Sequence, residues 1–321
     1  MEFSTALLTA GVLRDRGRFL SLILQPGLHG DSAGNLYGTT YRGGNVNAGL
    51  VFELDTGGNL TMLHSFMGSD GGYPTANLIA DSVGNLYSTT TTDGNSNCGT
   101  VFKLATLGQT SPTLHSFSCQ PDGSIPKAGL LPATRTGNLY GTTSGGGTSN
   151  FGTVFEVNAN TGMEAVLYSF TGGADGATPV GGLITDQAGN LYGTTTAGGN
   201  GNNGAGDGVV FKLNIAMRQE TVLHTFAGPD GANPTASLVR DSNRNLYGTT
   251  QNGGTHGVGT AFELGATGAL TLLHRFGGGR DGAYPYAGLV RDSKGRLYGV
   301  AAAGGVSGCF NGCGTIFVII P

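Results

Sequence analysis

Hydrophobic and polar positions alternate along this chain in short runs, four to a copy. In the fourth copy the runs are residues 182–185 (GLIT), 190–195 (NLYGTT), 209–213 (VVFKL) and 221–226 (TVLHTF), bounded by turn-forming residues. Runs of that length and boundary read as β-strands. The second run returns at Asn35, Asn85, Asn138, Asn190 and Asn245, and once more as RLYGVA at Arg296. Its tyrosines, Tyr37, Tyr87, Tyr140, Tyr192, Tyr247 and Tyr298, lie 50 to 55 residues apart. Four strands at such a period describe a propeller blade, whereas the coils of a β-solenoid are normally shorter. Alternation within NLYGTT puts Leu and Gly on one face and Tyr and Thr on the other, as a strand packed between blades requires.

The expected fold is all-β: a six-bladed β-propeller of four-stranded blades, forming one domain over residues 1–321. The sixth copy ends at GTIFVII and Pro321 without an outer strand, while 27 residues precede the first inner strand at Leu28. The N-terminal segment 1–27 is therefore expected to supply the strand that closes the ring. Residues 18–24 (RFLSLIL) are the first choice and residues 6–13 the second. Truncating this segment is expected to destabilise the whole ring.

Composition supports this picture and narrows the partners. There are 61 glycines in 321 residues, and only 11% of residues are charged, which describes a turn-rich chain with few solvated helix faces. A hydrophobic fraction of 38% is still enough for a core. The net charge of -4, without a lysine or arginine run, offers no footprint for nucleic acid or an anionic membrane. No apolar run approaches the roughly 18 residues needed to span a bilayer. Glu2 stands where a secretory signal would be basic, so no signal peptide is evident. A monomer is expected.

The extended pattern GLxxDxxGNLYGTTxxGG, GTVFKL, LHSFxGxDGxxP resembles the bacterial tandem-repeat family of GloVer-containing proteins over nearly the whole chain. That resemblance implies a secreted or surface-anchored repeat protein. More distantly, the blades look like those of NHL, gluconolactonase-like and streptogramin-lyase propellers. This is a likeness of fold, which does not settle function.

Residues that recur from copy to copy read as scaffold. His64, His115, Tyr168, His224 and His274 occupy one position of the outer strand. Spread one to a blade, they do not converge on an ion, and an apolar ring with a polar tip suits a half-buried packing position. Asp70, Asp122, Asp175, Asp230 and Asp281 belong to the DGxxP link, where Asp and Gly make a turn and Pro fixes φ. Asp31, Asp81, Asp186, Asp241 and Asp292 precede NLYGTT, with Ala133 in the third copy.

Four cysteines are present. Cys98 and Cys119 fall at neighbouring ends of antiparallel strands in blade two, and Cys309 and Cys313 share a loop of blade six. Disulfides Cys98–Cys119 and Cys309–Cys313 keep each bond within a blade and imply an oxidising compartment. A zinc site built from all four is the weaker alternative.

If the repeats are scaffold, chemistry belongs where the copies differ. Loops between the second and third strands share an edge with the DGxxP links, and binding residues gather on such loops. Asp207, His256, Tyr284, Tyr286 and Arg42 are the catalytic candidates, with His or Tyr as acid or base and Arg42 holding an anion. Tyr41, Asp93 and Lys127 are candidate ligand contacts. Oxygens of Asn45, Asn47, Asn202, Asn203 and Asp207 suit calcium, although an Asn-rich turn accounts for them and no cofactor is expected. The leading expectation is a secreted module binding a glycan or small polar ligand. The alternative is a lyase or hydrolase acting on an acidic polysaccharide, lactone or ester. No GxSxG elbow, Walker loop, HExxH or EF-hand loop supports a sharper chemistry.

Overall fold

The computed structural model describes residues 13–15, 18–20, 27–105, 113–132, 137–199, 204–305 and 313–321. Among them there is no helix, and hence none able to cross a membrane. After a two-stranded sheet at the start, six antiparallel sheets follow one another along the described residues, five of four strands and a sixth of three. They are the six blades of a β-propeller, as the repeat predicts.

Contacts divide the chain into two compact units, Met1–Ser118 and Cys119–Pro321. The first holds blade one, with strands His29–Gly30, Leu36–Thr40, Leu50–Leu54 and Leu60–Ser65, and blade two, with Ile79–Ala80, Leu86–Thr90, Thr100–Leu104 and Thr113–Ser116. The second holds blades three to six. Blade four is typical, with Ile184–Thr185, Leu191–Thr195, Val209–Asn214 and Gln219–Thr225 in sheet order. Innermost strands are only two residues long, shorter than the GLIT run suggests. The second and third strands carry the ladder, with Leu191 opposite Leu213 and Thr195 opposite Val209.

The third and fourth strands slip register once in each of the first five blades, between Val210 and Phe211 in blade four. A bulge of this kind bends the strand and re-aims the next side chain. Here it precedes the repeated outer-strand histidine and phenylalanine. Phe66, Phe170, Phe226 and Phe276 are buried, and each meets the third-strand phenylalanine of the following blade edge-on. Ring centroids are 5.2 Å apart for Phe66–Phe102, Phe170–Phe211 and Phe226–Phe262, and 4.9 Å for Phe276–Phe317. Each such pair adds about 0.5–1.5 kcal/mol to the burial of its area.

The glycine of NLYGTT makes room for that third-strand ring. A Cβ on Gly193 would lie 2.7 Å from Phe211 Cζ. Blade two carries Ser88 there instead, and its hydroxyl donates to the carbonyls of Ala76 and Asn77.

Closure by an N-terminal strand is not seen in the described residues. Arg18–Leu20 pairs with Leu13–Asp15 in a two-stranded sheet, and residues 21–24 and 6–12 lie outside the described set. Blade six has Val290–Arg291, Leu297–Ala301 and Thr315–Ile319. On its last strand Ile316 is 80% exposed, whereas Val210, its counterpart in blade four, is fully buried.

Candidate functional site

Both repeated acidic positions are fixed by partners of their own copy. Asp186 takes the N–H groups of Ala188 and Asn190 on one oxygen, at 3.0 and 2.9 Å. Its other oxygen accepts from Asn190 Nδ2 at 2.9 Å and Tyr192 Oη at 3.0 Å. The first residue and the tyrosine of NLYGTT therefore clamp the carboxylate before it. In blade six Arg296 replaces the Asn and donates through Nε to Asp292 at 2.7 Å. The Ala133 hairpin of the third copy lies outside the described residues.

Outer-strand histidines meet the aspartate of the DGxxP link that follows them. His64 Nε2 is 2.7 Å from Asp70, His224 is 2.8 Å from Asp230, and His274 is 3.1 Å from Asp281. In blade three the Tyr168 hydroxyl donates to Asp175 at 3.0 Å. Residues that looked like separate packing and turn positions thus form one pair in each of these copies. They are scaffold, used up in joining strand to link.

The link then does something its sequence did not announce. The residue immediately before its proline has a left-handed backbone in five copies: Tyr73 (φ 56°), Ile125 (57°), Thr178 (57°), Asn233 (54°) and Tyr284 (55°). Asn233 tolerates this conformation, but for tyrosine, and above all for the β-branched Ile125 and Thr178, such φ values are strained, at about 1–3 kcal/mol each. Neighbouring loops hold the strain in place. Asn233 donates its N–H to Asp207 O at 2.8 Å and accepts from Gln251 N at 3.1 Å, and Tyr73 lies likewise between Ala48 O and Thr91 N. The link residue that varies most in size and chemistry is thus fixed rigidly in direction.

In the first unit this arrangement assembles an aromatic cluster. Tyr41 follows the second strand of blade one and meets Tyr73 with ring centroids 5.2 Å apart. The Arg42 guanidinium sits 5.8 Å from the Tyr41 centroid and 5.6 Å from that of Tyr73. Arg42 is exposed and both tyrosines are half-buried. Asp93, in the corresponding loop of blade two, lies against Gly72 of the same link. Burial, and then the Asp70 carboxylate, raise its carboxyl above the ordinary range.

In the second unit Tyr286 accepts a bond from Gln251 Nε2, and Asn252 Nδ2 donates to Asn233 Oδ1 at 3.0 Å. Asn233 Nδ2 in turn donates to Thr196 O at 2.8 Å. Tyr284 and Tyr286 are 37% and 52% exposed on this edge. Backbone contacts tie Asp207 to Asn233, and Val258 of the His256 loop to Tyr284. The His256 side chain itself is exposed, and among the described residues no carboxylate lies within ion-pair distance of it. Lys127 is exposed two residues beyond Ile125 in the link into blade three. Sequence reasoning passed over Asn233 and Gln251. Their signal was variation at the position before the link proline and at the one after NLYGTT.

Cys98, Cys119 and Cys313 are each disulfide-bonded, and no free cysteine occurs among the described residues, which do not include Cys309. Asn47, with φ 64°, accepts the Gly43 N–H at 3.0 Å and so serves its turn; Asn202 and Asn203 lie outside the described residues.

Solved structures with this fold include a gluconolactonase from Xanthomonas campestris, 13% identical, with TM-score 0.51 and coverage of 98% of this chain and 93% of that one. A protein described as an oxidoreductase (glucose dehydrogenase) from Thermus thermophilus is 14% identical, with TM-score 0.50 and coverage of 94% and 98%. An extracellular domain assigned to a hybrid two component system of B. thetaiotaomicron is 12% identical, with TM-score 0.53; the match covers 87% of this chain and 30% of that one. No curated protein sequence matches the chain. At these identities the likeness is one of fold, and the class it defines with the six sheets is the β-propeller. More narrowly, the chain belongs to the Gloeobacter/Verrucomicrobia repeat family, whose model matches residues 23–206 and 201–321.

Proposed function

We propose that this propeller is an extracellular binding module, taking a glycan or another small polar ligand at the edge where the links and the second-to-third-strand loops meet. The observation that carries the reading is the Arg42 guanidinium over the paired rings of Tyr41 and Tyr73. Rigid tyrosines offer an apolar face and a hydroxyl at little entropic cost, and a cation over them holds the platform and adds donors. Disulfide-bonded cysteines support an oxidising compartment.

Lyase or hydrolase chemistry at the loop edge of the second unit would draw on His256, Tyr284, Tyr286 and Asp207, while Arg42 belongs to the tyrosine cluster of the first unit. It is the weaker reading, because an acid–base histidine is ordinarily oriented by a second group and His256 has no carboxylate beside it among the described residues. The test is a binding screen of neutral and acidic oligosaccharides against the intact chain, followed by calorimetry on Tyr41→Ala, Tyr73→Ala and Arg42→Ala. The expected outcome is a loss of at least tenfold in affinity for the best oligosaccharide. Equal affinity in all three variants would rule out this platform. Turnover of a lactone or aryl ester that is lost in His256→Ala would favour the enzyme.

A further inference from the structure

At the opposite end of the blade strands, between the hairpins of blades four and five, lies a cavity of about 940 Å³. That is within the usual size of a small-molecule site. Leu223 and Leu246 contribute apolar surface, and three cations line it: Lys212, Arg240 and Arg244. The Arg240 guanidinium is 5.7 Å and the Lys212 ammonium 5.9 Å from the centroid of Tyr192. None of the three cations has a carboxylate within ion-pair distance among the described residues. Against these three cations stand two aspartates, so the cavity has a formal excess of one positive charge, and the aspartate oxygens are engaged by neutral donors rather than by the cations. Asp186 already accepts four bonds, and Asp241 takes bonds from Asn245 N, Asn245 Nδ2 and Tyr247 Oη.

Comparison between copies shows how particular this arrangement is. The position of Arg244 is glycine in the other copies, at Gly34, Gly84, Gly137, Gly189 and Gly295, each with φ between 67° and 91°. Arg244 keeps the same turn at φ 73°. A left-handed backbone costs an ordinary side chain about 1–2 kcal/mol, so the turn carries strain that glycine would relieve. The counterparts of Arg240 include Gly30, Ala80 and Thr185, and those of Lys212 are Glu53, Glu156 and Glu263 in three copies and a lysine, Lys103, in blade two, where the next copy has Pro132 and Gly137 at the two arginine positions. At the junction of blades five and six Arg291 again lies over a tyrosine, Tyr247, but the neighbouring third strand supplies Glu263 and the turn supplies Gly295. Among the described residues, only between blades four and five do three cations coincide without that glutamate.

We propose that this cavity binds a sugar-sized organic oxyanion. Two arginine forks match carboxylate or phosphate oxygens bidentately, and Lys212 adds a point charge. Tyr192 and the leucines cover the apolar part of the ligand. The site shares no residue with the tyrosine platform and does not depend on it.

The experiment is calorimetric titration of the whole chain with digalacturonate, glucose 6-phosphate and glucose. Wild type, Arg244→Gly, Lys212→Glu and Tyr73→Ala are compared at low and at moderate salt. Arg244→Gly restores the residue of the other copies, so it should melt at the same or a higher temperature and its binding can be read without loss of fold. Expected are binding of at least one charged probe, weakening as salt rises, and no detectable binding of glucose. The affinity should fall about tenfold or more in both Arg244→Gly and Lys212→Glu and stay unchanged in Tyr73→Ala. Which charged probe binds distinguishes a carboxylate from a phosphate ligand. The proposal is overturned if neither charged probe binds, if glucose binds as well as they do, if Arg244→Gly keeps wild-type affinity, or if Tyr73→Ala abolishes binding.

Discussion

Glu220 is a charge in a position that blades one and five fill with leucine and blade three, like blade four, with a glutamate, Glu164. Its counterparts on the outer strands of blades one and five are Leu60 and Leu270, each opposite a third-strand leucine as Glu220 is opposite Leu213. Its Oε1 is buried without a hydrogen-bond partner. Burial, and then the Asp175 carboxylate, push its pKa from 4.5 to about 7. The folded chain therefore binds this proton more tightly than the unfolded chain. Its contribution to stability is whole below about pH 4.5 and is lost as pH rises through about 7. At about 1.4 kcal/mol per pH unit, full desolvation would put the loss near 3 kcal/mol. The side chain is partly open to solvent, and screening reduces this to about 1–2 kcal/mol. Glu220→Leu is thus expected to raise the melting temperature by about 2–3 °C at pH 8. The gain should be clearly smaller at pH 5, where Glu220 is already protonated. Scanning calorimetry of wild type, Glu220→Leu and Glu220→Gln across pH 5–8 separates charge from packing, because the glutamine removes only the charge. An equal gain at both pH values, or none at pH 8, would refute the ionisation argument.

Three further outcomes are expected. Asp186→Ala removes the acceptor of four hydrogen bonds and should cost about 2–3 kcal/mol in chemical unfolding. Burial alone would raise the Asp186 carboxyl, but bonds from Asn190 and Tyr192 hold it below 3.8, so its contribution is present above that pH and lost on further acidification. Gly193→Ala, which sets a methyl 2.7 Å from Phe211 Cζ and 3.0 Å from Leu183 Cδ2, should lower the melting temperature through about 1–3 kcal/mol of overpacking. Peptide mapping without reduction should recover Cys98 joined to Cys119 and Cys309 joined to Cys313; four alkylatable thiols would contradict both bonds.

The blades were legible because their signal is carried by backbone physics repeated six times. Alternation, glycine at the turns and the tyrosine period each point to the same four-stranded unit, and the strands fall where those runs lie. Pairing between repeated polar residues was harder to read. His224 and Asp230 stand six residues apart across a strand end and a turn, and only the bulge between Val210 and Phe211 brings the ring toward the carboxylate. Nothing in residue type predicts a register slip. The loop edge was visible as a place of variation, yet the grouping within it was not. Tyr41, Arg42 and Tyr73 meet because Tyr73 adopts a left-handed backbone, a conformation its sequence gives no reason to expect.

Strain also explains why variation is informative in this chain. A repeat that tolerates Gly, Asn, Asp or Ser in its turns has relaxed options at every corner. Tyr73 and Tyr284 on the loop edge, and Arg244 on the hairpin edge, forgo those options and hold large side chains at φ values between 55° and 73°. The first two are fixed by loop bonds common to other copies, so their strain belongs to the blade design and only their side-chain chemistry is individual. Arg244 differs in kind, because the other copies avoid its strain with glycine. Its strain calls for an offsetting interaction, and among the described residues no hydrogen bond or ion pair is drawn to its guanidinium. An oxyanion in the adjoining cavity would supply that interaction, which makes Arg244→Gly the substitution that best separates scaffold from site.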